Sequence, residues 1–157
     1  EVGELEIASP HAADRYWNNP EETEAAFGGG WVSTGDLCRV DEDGYHYIEG
    51  RKKNMFVSGG ENVFPPEVED AVTDHPKVEE CIVVPVPDDT WGEVGKAVVE
   101  GDRSLTLAEL QDFLGDRVAG FKVPKYLEFI DAMPISGAGK IQRKDIEAAY
   151  GEEAHDG

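Results

Sequence analysis

The chain reads as an α+β protein: a β-rich stretch over residues 1–50, then a small α/β domain over residues 54–157. Two patterns predict this. The first stretch carries short β-branched and aromatic runs separated by turn residues. The second alternates short apolar runs, which fit buried strands, with segments of helical periodicity. A length of 157 residues suits one ordinary domain, or one small domain plus part of another.

In the first stretch Leu5 and Ile7 alternate with polar neighbours. Trp31-Val32-Ser33-Thr34 and Tyr45-His46-Tyr47-Ile48 have strand composition, and Asp41-Glu42-Asp43-Gly44 between them reads as a hairpin turn. Its Asp-x-Asp-Gly lacks the spaced oxygen ligands and distal Glu of a calcium loop. A boundary is expected at residues 51–53. Residues 1–50 are thin for an independent domain and read as the end of a larger body.

Beyond the boundary, Pro65-Pro66 opens a helix with Val68, Ala71 and Val72 on one face, and Pro76 closes it. Residues 81–86 and 96–99 read as strands, with Cys81 a small core residue. Thr106-Leu107-Ala108-Glu109 is a capping box that starts a helix with Leu110, Phe113 and Leu114 inward. Residues 126–130 form a strand, residues 144–150 a last helix, and residues 151–157 a loose tail.

Charge narrows the partners. The chain has 34 acidic and 14 basic residues, a formal net charge of −20. Such an excess opposes nucleic acid and anionic membranes, and fits a protein adapted to high salt. Two cysteines, Cys38 and Cys81, make no disulfide framework, and the chain reads as cytoplasmic. No apolar run reaches the roughly 18 residues of a membrane helix. The His residues His11, His46, His75 and His155 lack metal-ligand spacing and read as structural or surface positions; the three Trp residues read as packing anchors, although Trp91, before a Gly in a turn, could stack on a base.

Eight of the 14 basic residues fall in three Gly- or Pro-flanked segments: Arg51-Lys52-Lys53, Lys122 with Lys125, and Lys140 with Arg143 and Lys144. Cations kept in an otherwise acidic chain suit a small anion such as a nucleotide, although pairing with neighbouring Asp and Glu explains them as well.

Four motifs bear on chemistry. In Ser33-Thr34-Gly35-Asp36, a carboxylate after a Gly in a strand-to-loop turn can accept two ribose hydroxyls, or cap its own backbone. Gly50-Arg51-Lys52-Lys53 offers a guanidinium for phosphate or ribose oxygens. In Ser58-Gly59-Gly60-Glu61, paired glycines allow close approach of a ligand or simply a strand-to-helix turn. In residues 134–143, small residues on a flexible loop present Lys140. This is no Walker A loop, because Pro134 takes the first Gly place and Ile141 follows the lysine.

The order of these motifs resembles the acyl-adenylate-forming superfamily, most closely its AMP-forming acyl-CoA synthetases of fatty-acid type. The resemblance runs over residues 3–146. It includes Tyr16-Trp17-Asn18-Asn19-Pro20, Ser33-Thr34-Gly35-Asp36, Gly50-Arg51-Lys52-Lys53, Ser58-Gly59-Gly60-Glu61-Asn62-Val63, Trp91-Gly92-Glu93 and Gly139-Lys140-Ile141. It implies the small C-terminal domain of an adenylate-forming enzyme, preceded by a β-rich remnant of the large N-terminal domain. Residues 1–50 would be that remnant, 51–53 the hinge and 54–157 the mobile domain.

The roles implied are specific. Asp36 matches the Asp that holds the ribose hydroxyls, and Arg51 the Arg that contacts the same nucleotide. Lys53 falls at the hinge position. Lys140 matches the lysine that bridges carboxylate and α-phosphate during adenylation. Ser58, Gly59, Gly60 and Glu61 resemble the loop lining the pantetheine tunnel, and Trp91, Phe121 and Lys125 align with contacts to the nucleotide end of CoA. The substrates implied are ATP with Mg2+, a carboxylic acid and CoA, with no prosthetic group.

Asn54 and Phe64 depart from the usual pattern, and residues 99–103 are several residues short. The phosphate loop, most of the ATP pocket and the acyl pocket are not in this sequence. The chain alone is therefore expected to be inactive, and to depend on the N-terminal domain as a partner. Two other readings stay open: an adenylation domain that loads a carrier protein, and a non-catalytic binding module derived from the fold.

Overall fold

Residues 2–151 are described in a computed structural model of the chain. The chain divides into two units, Glu1–Asn54 and Met55–Gly157. Most of the tail expected over residues 151–157, with His155, lies outside the described residues.

The first unit is an antiparallel sheet in the order β1-β2-β3, formed by β1 (Val2–Ile7), β2 (Val32–Val40) and β3 (His46–Arg51). The β2–β3 turn is built around Asp41. Its Oδ1 accepts the N–H of Asp43 at 3.0 Å and of Tyr45 at 2.9 Å, and its Oδ2 accepts the Tyr47 hydroxyl at 2.9 Å. One element differs from expectation: α1 (Pro20–Phe27) stands where only strands and turns were read. Its cause is local. Asn19 accepts the Glu22 N–H at 3.3 Å, Pro20 presets φ at the first helical position, and Glu21 and Glu22 lie at the positive end of the helix dipole.

This unit buries little. Leu37 and Cys38 are its buried hydrophobic residues among those described, while Ile48, Tyr45 and Trp31 are exposed. Trp17 is 96% exposed, so it is no packing anchor within this unit.

The second unit has a five-stranded sheet of β4 (Phe56–Ser58), β5 (Glu61–Val63), β6 (Val78–Asp88), β7 (Gly92–Gly101) and β8 (Tyr126–Phe129). The order is β5-β4-β7-β6. β6 and β7 form a long antiparallel pair, and β8 runs parallel to β7. The sheet is covered on both faces, which is why its strands read as unbroken apolar runs. Cys81, Val83, Ala97 and Val99 pack with Val68 and Val72 of α2 (Pro65–Thr73) and Leu110 and Leu114 of α3 (Leu107–Leu114). Ile82, Val84 and Val98 pack on the other face with Ile146 of α4 (Arg143–Tyr150).

Local signals explain the helices. Thr106 Oγ accepts the Glu109 N–H at 3.2 Å, the N-cap contact expected for α3. The short 99–103 connection is closed at Asp102, whose N–H donates to the Lys77 carbonyl at 2.9 Å and whose carboxylate accepts the Ser104 N–H at 2.8 Å. His75 is buried; its Nδ1 accepts the Lys77 N–H at 3.2 Å and its ring stacks edge-on against Phe113. Its role in the described structure is packing.

Candidate functional site

Asp36 and Arg51 are brought together in the first unit. They are cross-strand partners in β2 and β3. Arg51 Nη1 donates to Asp36 Oδ1 at 2.7 Å and to the Thr34 carbonyl at 2.7 Å. Asp36 lies inside β2, next to a register shift between Leu37 and Cys38, and not in a strand-to-loop turn. Gly35 takes φ +74°, and a Cβ there would lie 3.6 Å from the Arg51 guanidinium. The irregular strand thus turns the carboxylate toward the guanidinium, which serves in place of the backbone cap. The pair is half-exposed, so its worth to stability is small, about 0–1 kcal/mol.

A groove of about 400 Å³ opens beside the pair, lined in part by Thr34, Gly35, Arg51, Lys52 and Lys53 and by Tyr16. Lys52 Nζ bonds Glu4 at 2.7 Å, and this lysine holds the Glu4 carboxyl below the usual carboxylate range. Lys53 is exposed in a turn of 3-10 helix over Lys52–Asn54.

The second unit collects most of the residues expected to meet CoA. Ser58, Gly59, Gly60 and Glu61 form the tight turn between β4 and β5. The Gly59 N–H donates to the Trp91 carbonyl at 2.9 Å, and Ser58 pairs with Gly92 across β4 and β7. The Trp91 ring covers Gly59 so closely that a Cβ there would sit 2.4 Å from it. Lys125 Nζ stands 5.9 Å from the Trp91 ring centroid. Phe121 differs: it packs against the core beside Val118 and Val123, with Lys122 Nζ 5.7 Å from its ring.

Lys140 is exposed at the end of a closed loop. The flexible loop expected here is a hydrogen-bonded turn. The Ser136 N–H donates to the Lys140 carbonyl at 2.8 Å, the Gly139 N–H to Ser136 at 2.8 Å, and the Gln142 N–H to Pro134 at 2.7 Å. Ile135 and Ile141 form a bridge across its base. Lys140 makes no ion pair with a described residue.

The clustered cations therefore divide. Arg51, Lys52, Lys122 and Arg143 each pair with an acid: Asp36, Glu4, Glu67 and Glu69. Sequence reading missed the last of these pairs as a unit. It also missed Lys96, which is 1% exposed and donates from Nζ to the Tyr150 carbonyl at 3.0 Å. A charge inside an apolar strand run was the available signal. Among the described residues no group of three or more His, Cys, Asp and Glu could hold a metal ion, and no helix is long and apolar enough to cross a membrane.

Fold and turns of this kind fit a class: residues 67–140 match the AMP-binding enzyme C-terminal domain, and the relatives that match nearly the whole chain are CoA ligases. More particularly, the chain is 44% identical to a feruloyl-CoA synthase of an Amycolatopsis species over 154 residues, which are 96% of this chain and 31% of that one. It is 42% identical to a medium/long-chain fatty acid–CoA ligase of Mycobacterium tuberculosis, covering 98% of this chain and 28% of the relative. Among solved structures, the o-succinylbenzoate CoA synthetase of Bacillus subtilis in complex with its acyl-adenylate superposes with a TM-score of 0.87 at 32% identity, over 100% of this chain and 31% of that one. The chain thus spans under a third of the length of these relatives.

Proposed function

We propose that the chain is the C-terminal part of an acid–thiol ligase that activates a carboxylic acid with ATP to an acyl-adenylate and passes the acyl group to CoA. The observation that supports the reading is that its cations sit in different local settings. Asp36 with Arg51 offers a polar edge for ribose, Lys125 with Trp91 and the Gly59 turn offers a stacked cationic edge, and Lys140 is presented on a closed loop without an acidic partner among the described residues.

The chemistry needs this division. A carboxylate attacking the α-phosphate brings two anions together, and a lysine between them offsets their repulsion. The attacking oxygen forms the new bond to phosphorus while pyrophosphate leaves with the electrons of the broken bond. The CoA thiol then displaces AMP from the acyl carbon. A lysine that lies between the anions in the first step obstructs the second, so we assign Lys53 as the hinge about which residues 54–157 turn between steps. The remaining length of the relatives would supply the ATP and acyl pockets, so the chain alone would be inactive. Mg2+ would accompany ATP as part of the substrate.

Relatives of fatty-acid and aryl type match at similar identity, so a fatty acid and an aromatic acid are both candidate substrates. Assay of the full-length protein with ATP and CoA against a panel of fatty, hydroxycinnamic and succinylbenzoic acids tests the reading. Formation of AMP and a thioester with one class is expected. Adenylate formation that proceeds only to a carrier protein, or no AMP from any acid, would overturn it.

A further inference from the structure

One buried polar cluster lies outside the residues assigned above. β6 is an edge strand, paired with β7 on one side only. On its open edge the Val83 N–H donates to Glu69 Oε1 at 2.8 Å, and the Val83 carbonyl accepts Arg143 Nη1 at 3.0 Å. Arg143 Nη2 closes the triangle on the same Glu69 oxygen. Glu69 belongs to α2 and Arg143 is the first residue of α4. Their side chains are 13% and 18% exposed, so this is a buried pair with its neighbouring backbone groups satisfied. Burial pushes the Glu69 carboxyl up, against the opposing pull of Arg143.

Arg143 stands three residues after Lys140, and one residue after Gln142, whose N–H closes the loop on Pro134 at 2.7 Å. The far end of α4 is also tied, by the Lys96 ammonium on the Tyr150 carbonyl. The helix is fastened at both ends, and the clamp at its first residue is the one next to the lysine loop.

We propose that Arg143, held by Glu69, is a positioning residue: it fixes the start of α4 on the edge of β6 and so sets the base of the loop that carries Lys140. The inference rests on Lys140 acting in adenylation. A guanidinium is required because its planar fork reaches the Val83 carbonyl and Glu69 at once, whereas an ammonium is a single point charge. The guanidinium in turn offsets the cost of burying the Glu69 carboxylate.

The test uses Arg143→Lys and Glu69→Gln, with Lys140→Ala beside them. In this chain, amide exchange at Gly139 and Gln142 is expected to rise about tenfold in both clamp variants, while exchange in β7 stays unchanged. In the full-length protein, adenylation kcat is expected to fall roughly 10- to 100-fold with KM for ATP nearly unchanged, and thioester formation from supplied acyl-adenylate to persist. Equal loss of both half-reactions, or exchange at Gly139 and Gln142 that does not rise, overturns the inference. Should Arg143→Lys fail to fold, the Glu69→Gln exchange pattern decides. Should Lys140→Ala leave adenylation intact, the functional reading fails instead, and the exchange data still decide whether the clamp sets the loop.

Discussion

At Gly59 the backbone takes φ +60° and the Trp91 ring occupies the place where a side chain would stand. Both facts favour glycine: one because L-residues rarely adopt that φ, the other because the Trp91 ring would have to shift to admit a Cβ. Gly59→Ala is expected to cost about 1–3 kcal/mol, read as a lower urea midpoint. An unchanged midpoint would mean that Trp91 swings away freely. The glycine pair was visible in the sequence, but the ring above it was not, because the two residues meet only when β4 and β7 pair. Asp36 and Arg51 followed the same rule. Each was legible alone, and their mutual hydrogen bond depends on a strand register that no local pattern specifies.

The helices of the second unit and its strands β6, β7 and β8 were legible because their signals are local, whereas Ser58-Gly59-Gly60-Glu61 closes the short β4–β5 hairpin and does not lead from strand to helix. Pro65-Pro66 fixes the start of α2, and Thr106 fixes that of α3. Thr106→Ala is expected to destabilise the chain by about 1 kcal/mol by leaving the Glu109 N–H without its cap, measured by chemical denaturation. No change would show that water or another group replaces the hydroxyl at no cost. α1 was legible in principle: Asn19-Pro20-Glu21-Glu22 is a helix start, but strand composition on either side outweighed it. The clamp of Glu69, Val83 and Arg143 was not legible. It joins α2, β6 and α4, which are distant in sequence, and a buried ion pair leaves no periodic trace.

For the whole molecule, a net charge of −20 makes self-repulsion a general cost that salt screens. The urea midpoint is expected to rise from low to molar KCl, and a flat response would remove the case for a high-salt protein. Domain rotation makes a separate demand. Lys53→Pro restricts φ at the proposed hinge, and in the full-length protein it is expected to slow the CoA step far more than adenylation. Equal effects on both steps would place the hinge elsewhere. The assignment of Lys140 carries most of the account, and one comparison tests it: the two half-reactions of full-length protein bearing Lys140→Ala. Acyl-adenylate formation is expected to fall roughly 10²–10³-fold while thioester formation from supplied acyl-adenylate is retained. Adenylation at the rate of the unsubstituted protein, or equal loss of both half-reactions, would contradict it.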